Sequence, residues 1–184
     1  TLGYSNDSPE FSKAMREFRA LETESGGALR MQPCFSAIWD TAWAVHALAR
    51  GGTPDAESVR RGADWLLSKE IFTGGDWQVN NPAGQPGAWA FEFDNPVYPD
   101  TDDTSAVLMA LFFAGRRGEA GFSAGMKWLH SMQNVDGGWG AFDRNVDLKV
   151  LEHLPWADHN ALLDPSTADL TGRILELYGY LGSH

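Results

Sequence analysis

The sequence predicts an all-α fold built from repeated helix pairs, and three observations carry that expectation. An internal repeat runs through the middle of the chain. Trp39-Asp40-Thr41-Ala42-Trp43-Ala44-Val45-His46-Ala47-Leu48 is similar to Asp102-Asp103-Thr104-Ser105-Ala106-Val107-Leu108-Met109-Ala110-Leu111. The shift that carries Asp40 onto Asp103 also carries Trp65-Leu66 onto Trp128-Leu129, and Glu70 onto Gln133. Within the units, apolar residues recur at helical spacing, as at Val107, Ala110, Leu111 and Ala114. No strand-like alternation of useful length appears. Each unit reads as helix, Gly-rich link, helix, turn. Such a unit buries its apolar face only by stacking on a neighbour, which gives either an open solenoid or a closed ring.

The elements follow in order. The first unit opens its leading helix at Asp40-Thr41 and its second helix around Trp65-Leu66, then closes on Gly74-Gly75-Asp76-Trp77. An aromatic approach, Trp89-Ala90-Phe91-Glu92-Phe93-Asp94-Asn95-Pro96-Val97-Tyr98-Pro99, leads to the second unit, whose first helix runs from Thr104 to Ala114. Its second helix carries Trp128-Leu129 and leads into Gln133, Gly137-Gly138 and Trp139. Gln133, near a helix C-terminus, is placed to bond the free carbonyls there, and Trp139 to lay its ring on the adjoining helix start. The glycines permit the tight return between them. In the first unit, Glu70 and Trp77 form a degraded copy of this element. A half-repeat begins at Asp169-Leu170-Thr171 and continues as an apolar helix through Tyr178. Trp65, Trp77, Trp128 and Trp139 belong to the repeat and are assigned to stability.

Composition removes several function classes. The net charge of −11 and pI near 4.7 argue against nucleic acid as a partner, since phosphate binding needs clustered Lys and Arg. Arg60-Arg61 and Arg116-Arg117 are short pairs at expected helix ends, where cations complement the dipole. The longest apolar run, Ala106 to Ala114, is too short for a membrane span. Cys34 is the single cysteine, so there is no disulfide framework. Asn6-Asp7-Ser8 matches a glycosylation acceptor, a tripeptide common by chance. His153 and His159 flank an expected loop and are read as surface or structural residues. The chain begins at Thr1 rather than Met, which suggests processing or excision from something longer.

Chemistry concentrates in Asp100-Thr101-Asp102-Asp103, three carboxylates in four positions behind the aromatic approach and ahead of an apolar helix. Ionising all three together is unfavourable, so one is expected to keep its proton near neutral pH. A neutral carboxylic acid with polar support on one side and an apolar pocket on the other is a Brønsted acid able to protonate a weak base such as an alkene. The plainer reading is that Asp102 or Asp103 caps the helix. Capping accounts for one or two of the carboxylates but not for three, nor for the aromatic approach.

The combined motifs resemble those of the triterpene cyclases, and most closely the bacterial squalene–hopene cyclases. The Gln133…Gly138-Trp139 element resembles their QW motif, and Asp100-Thr101-Asp102-Asp103 their D-x-D-D acid motif. Trp89-Ala90-Phe91-Glu92-Phe93-Asp94-Asn95, Gly137-Gly138-Trp139-Gly140-Ala141-Phe142-Asp143-Arg144-Asn145 and Leu163-Asp164-Pro165-Ser166-Thr167-Ala168-Asp169-Leu170-Thr171-Gly172-Arg173 are similar as well. The similarity runs from about Pro33 to Leu181. It implies part of an (α/α) barrel with QW-type repeats. Residues 1–33 would end a first α-barrel domain, and residues 34–184 would form the first half of a second, catalytic one. A half ring leaves inner helices with nothing to close against, so a fragment of a longer enzyme is expected.

By that resemblance Asp102 matches the general acid that protonates the terminal double bond of squalene, and Asp100 and Asp103 match the carboxylates that hold and polarise it. The repeat places Asp40 and Asp169 on the same side of the ring, at equivalent helix starts, where they look like second-shell acids of that network. Arg173 matches a cationic position that is His in some members. Arg keeps the charge but does not relay a proton at ordinary pH. Trp39, Phe91 and Phe142 match cavity-lining aromatics that stabilise carbocations through their ring faces. Phe142 lacks the hydroxyl that a Tyr supplies in some relatives.

The implied reaction is polycyclisation of squalene, or a related polyprenoid, to a hopene-type pentacycle, with no cofactor and no metal. The resemblance also implies peripheral, monotopic attachment to the bacterial cytoplasmic membrane through parts outside this segment, and it allows a homodimer. Three other classes were weighed. A prenyltransferase-like zinc site needs a Cys, and Cys34 has no suitable neighbours. A class II diterpene cyclase shares the acid motif but acts on a diphosphate, for which this segment offers no basic clamp. A non-catalytic helical-repeat scaffold has no need of a carboxylate cluster facing aromatics.

Overall fold

Helix ends and Trp–backbone contacts determine how the repeat is assembled. A computed structural model describes residues 3–32, 34–52, 56–92, 95–153 and 162–182, in two compact units, Thr1–Phe35 and Ser36–His184. Pro33, Phe93, Asp94, His159 and the side chain of His153 lie outside what is described.

The first unit holds helix α1 (Pro9–Ala20) and a two-stranded antiparallel sheet, β1 (Glu22–Ser25) and β2 (Ala28–Met31). Ser8 caps α1, its hydroxyl accepting the Phe11 N–H at 3.1 Å, and Pro9 follows at the position where its missing N–H costs nothing. The strands pair from Glu22↔Met31 to Ser25↔Ala28 around Gly26-Gly27. This hairpin corrects the expectation of no strands. Four-residue strands carry almost no periodic signal, and the informative feature is the Gly-Gly dipeptide. Both glycines have positive φ, 61° and 74°, as a two-residue hairpin turn requires.

Among the described residues the second unit holds five α-helices: α2 (Ala37–Arg50), α3 (Ala56–Ser68), α4 (Thr101–Phe113), α5 (Ala120–Ser131) and α6 (Ala168–Gly182). Helix α4 packs between α2 and α6, while α3 lies against α2 and α5 against α4. The core joins Ile38, Ala42 and Val45 of α2 to Val107, Leu108 and Leu111 of α4, Trp128 and Leu129 of α5, and Ile174 and Leu177 of α6. Buried side chains run along nearly the whole of α4 and on all its faces, which is why this helix reads as uniformly apolar and sits in the middle. Among the described residues no helix is long and apolar enough to cross a membrane.

The two units of the repeat are held by matching bonds. The Trp89 indole N–H donates to the Leu66 carbonyl near the end of α3 at 2.7 Å, and the Trp139 indole N–H to the Leu129 carbonyl near the end of α5 at 2.8 Å. Each Trp backbone N–H then donates to the hydroxyl of a Thr in the next helix, Thr104 at 3.0 Å and Thr171 at 3.2 Å. The partner of Trp139 is thus Trp89, not Trp77 as the spacing suggests. The link after α3 is longer, so the equivalent Trp arrives later. Trp77 packs edge-on against Trp128, with centroids 5.7 Å apart. Gln133 also departs from expectation. Its amide donates to the Gly137 carbonyl of the loop at 2.8 Å, because the indole of Trp139 already serves the helix end.

Candidate active site

Asp100 is the residue that caps α4, in place of Asp102 or Asp103. Its backbone is extended and its Oδ1 accepts the Asp103 N–H at 2.7 Å. The helix start is fixed from both sides. The Asp100 N–H donates to the Trp89 carbonyl at 3.0 Å, and the Thr101 N–H to the Ala141 carbonyl at 2.9 Å. The Thr101 hydroxyl donates to the Gly140 carbonyl at 2.7 Å. Successive helical residues are about 100° apart around the axis. That rotation separates the environments of Asp102 and Asp103.

Asp100 and Asp103 are buried. Burial, then the neighbouring Asp103 charge, raises Asp100 well above the usual carboxylate range, against the opposing pull of the Asp103 and Phe91 backbone N–H groups. Burial pushes Asp103 up to about 6, although its bond with Asp100 acts the other way. Asp103 Oδ1 has no hydrogen-bond partner. The crowded motif therefore holds protons on these carboxyls to higher pH than ordinary carboxylates do, Asp103 releasing its own near about 6.

Asp102 points elsewhere. Its Oδ1 pairs with Nη1 of Arg173 from α6. The guanidinium of Arg173 also lies over two rings of α2, 5.2 Å from the centroid of Trp39 and 5.8 Å from that of Trp43. Those rings meet edge to face at 5.5 Å. Acid, cation and aromatic pair thus come from α4, α6 and α2. Asp102, Arg173 and Trp39 all lie in the first two turns of their helices, so the starts of the three helices share one end. Trp43 was not singled out from sequence as a site residue, although its position four residues after Trp39 put it on the same helix face.

The other expected residues are placed less centrally. Asp40 is exposed and accepts the Ser36 hydroxyl at 2.7 Å. It is the fourth residue of α2, whereas Asp102 and Asp169 are each the second of their helices. Asp169 is exposed, held below the ordinary carboxylate range by the Thr167 hydroxyl and the Leu170 N–H. Phe91 and Phe142 are exposed in this chain, at 38% and 48%.

Comparison with known proteins identifies the family. Residues 35–184 match the squalene-hopene cyclase C-terminal domain. A squalene–hopene cyclase of Bradyrhizobium diazoefficiens is 42% identical over 158 residues, covering 82% of this chain and 24% of the relative. A squalene–hopene cyclase of Alicyclobacillus acidocaldarius is 37% identical, covering 95% of this chain and 28% of the relative. The sporulenol synthase of Bacillus subtilis is 40% identical, covering 97% and 28%. The chain thus spans about a quarter of the length of these relatives, 24% to 28%. An α-helical repeat with an Asp–Arg pair at its rim, matched over most of its length by these proteins, places the chain in the squalene–hopene cyclase C-terminal domain family.

Proposed function

We propose that the whole protein cyclises squalene, or a related polyprenoid, to a hopene-type pentacycle, and that this segment supplies the proton that starts the reaction. The observation carrying this reading is the Asp102–Arg173 pair, laid against Trp39 and Trp43 and flanked by two buried carboxyls. Asp102 is the acid. Arg173 occupies Oδ1, which leaves Oδ2 to deliver the proton, and the adjacent positive charge favours its release. It passes to the terminal double bond, leaving a tertiary carbocation and an Asp102 carboxylate that Arg173 neutralises. Arg173 itself donates no proton; Asp100 and Asp103 are the members of the cluster whose carboxyls are shifted toward the protonated form. Trp39, Phe91 and Phe142 are assigned to stabilising the cations that follow. Asp40 and Asp169 are assigned to outer support, Asp169 standing one helical turn ahead of Arg173.

The relatives' names include both squalene–hopene cyclase and sporulenol synthase, so the product must be identified rather than assumed. Membrane attachment of the whole protein, with uptake of substrate from the bilayer at the bacterial cytoplasmic membrane, belongs to the same reading, and so does a homodimer. The test is product formation from squalene in detergent by the full-length enzyme, wild type against Asp102→Asn. Asn keeps the shape but has no acidic proton to give, so the variant is expected to fold and make no cyclic product. Full turnover by that variant would overturn the assignment.

A further inference from the structure

Asp164 is the most heavily used carboxylate of the second unit outside the acid motif. Its Oδ1 accepts the Ala141 N–H at 2.8 Å, and its Oδ2 accepts the N–H groups of Phe142 and Asp143 at 2.5 and 2.6 Å. Its own N–H donates to the Val146 carbonyl at 2.8 Å, which closes the loop upon itself. Packing here leaves no slack. A Cβ on Gly140 would come within 2.5 Å of the Asp164 carbonyl oxygen and 2.9 Å of its Cγ. Three successive backbone N–H groups aimed at one carboxylate fix the direction of the peptides that carry them. The carbonyls on the same stretch then point away, and those of Gly140 and Ala141 receive the hydroxyl and N–H of Thr101.

Thr101 precedes Asp102, and Phe142 lies within the stretch that Asp164 holds. We propose that Asp164 is a positioning residue for the reaction, one that sets the acid and the Phe142 ring relative to each other through the 140–143 loop. The proposal rests on the cyclase reading given above. Loss of the three bonds lets the loop turn. Thr101 then loses its anchors, and Asp102 and Phe142 shift independently. An acid displaced by about 1 Å from its target costs up to about 10²-fold in rate. A displaced aromatic ring leaves a partly formed cation open to early quenching. The two effects together distinguish positioning from stability, because simple destabilisation lowers the amount of active enzyme without changing what each molecule makes.

The experiment compares full-length wild type, Asp164→Ala, Asp164→Asn and Asp136→Ala with squalene in detergent, measuring kcat, KM, product distribution and melting temperature. Asp136 is the control, since it ties the neighbouring turn through the Gly138 N–H and the Ser166 hydroxyl without holding the 141–143 peptides. The expected result for Asp164→Ala is a fall in kcat of about tenfold to 10²-fold, with KM little changed and a larger share of incompletely cyclised products. Asp164→Asn, which keeps one acceptor oxygen, is expected between Ala and wild type. Asp136→Ala is expected to keep the wild-type product pattern. If Asp164→Ala does not fold, the Asn variant carries the comparison. A wild-type product pattern and kcat in the folded Asp164 variants, with Asp102→Asn inactive, overturns the proposal and leaves the cyclase reading intact. A wild type that does not cyclise squalene sinks that reading and the proposal with it.

Discussion

Replacing Asp103 by Asn is expected to stabilise the protein at neutral pH, and to do so only above an acidic threshold. Asp103 is buried, and its carboxyl is pushed from an ordinary 3.8 to about 6. A folded-state value above the unfolded one means that the native protein binds the proton more tightly, so the sign runs against the usual carboxylate case. Below 3.8 both states hold the proton and burial of the group has no pH-dependent cost. Between 3.8 and about 6 the unfolded chain releases it first, and stability falls as pH rises. Above that window the loss is complete. A shift of this size corresponds to about 3 kcal/mol. The start of α4 favours a negative charge at Asp103 by about 0.3–1 kcal/mol, which leaves a net cost of about 2 kcal/mol. Asn carries no charge at any pH and escapes it, and its neutrality also relieves Asp100 of the neighbouring charge that helps to raise it.

The assay is thermal unfolding of the full-length protein, wild type against Asp103→Asn, followed from pH 4 to 8. With about 2–4 °C per kcal/mol for a domain of this size, the variant's advantage should be near zero at the acid end. It should grow through the window and level off at about 4–8 °C. A difference that is constant with pH, or one that shrinks as pH rises, refutes the reasoning. The same substitution should impair turnover, because it removes a carboxyl of the cluster next to Asp102.

Two further outcomes follow from the same contacts. Arg173→Ala should lower kcat by about 10²-fold by leaving Asp102 without its cation, while Arg173→His should keep activity at acid pH and lose it as pH rises through about 6.5; a flat pH profile for the His variant would remove the charge argument. Trp89→Phe should cost about 0.5–1.5 kcal/mol by removing one of the two donors on the Leu66 carbonyl, which keeps the Lys69 N–H, whereas Trp77→Phe should cost less, since the Trp77 indole N–H is buried without a partner; thermal unfolding of the two variants that ranks them the other way contradicts the repeat assignment.

Much of the second unit was legible because helix pairs announce themselves locally. Apolar spacing, glycine links and the recurrence of Asp-Thr and Trp-Leu located the helices, and the crowding of Asp100, Asp102 and Asp103 marked the candidate acid cluster. What remained hidden was set by contacts between distant residues. That Trp89 rather than Trp77 repeats Trp139 depends on which indole reaches a helix end after links of unequal length. The pairing of Asp102 with Arg173 and the seat of Arg173 on Trp43 arise where three helices meet, and no spacing along one helix encodes them. Asp164 carries no local signal at all, because its three bonds reach back across the loop to residues 141–143. The hairpin was missed for a different reason, since its strands are too short for periodicity and only Gly26-Gly27 marked it.

The matched bonds also show how the candidate acid cluster sits within a structural repeat. The Asp100 N–H donates to the Trp89 carbonyl and the Thr104 N–H to the Asp100 carbonyl; the Thr167 N–H donates to the Trp139 carbonyl and the Thr171 N–H to the Thr167 carbonyl. Asp100 and Thr167 therefore hold the same place in consecutive units, as do Asp102 and Asp169. Both Asp and Thr are good residues at a helix start, so the fold tolerates either, and the exchange changes charge rather than architecture. What sets the start of α4 apart from that of α6 is burial. Asp100 is buried beside Asp103, while the residue matching Asp103 in the next unit is Leu170, an apolar side chain that packs without titrating. The same helix start thus carries an uncharged Thr in one unit and a buried, titrating carboxyl pair in the other. The difference between them is two carboxyls placed where a Thr and a Leu would have sufficed for folding.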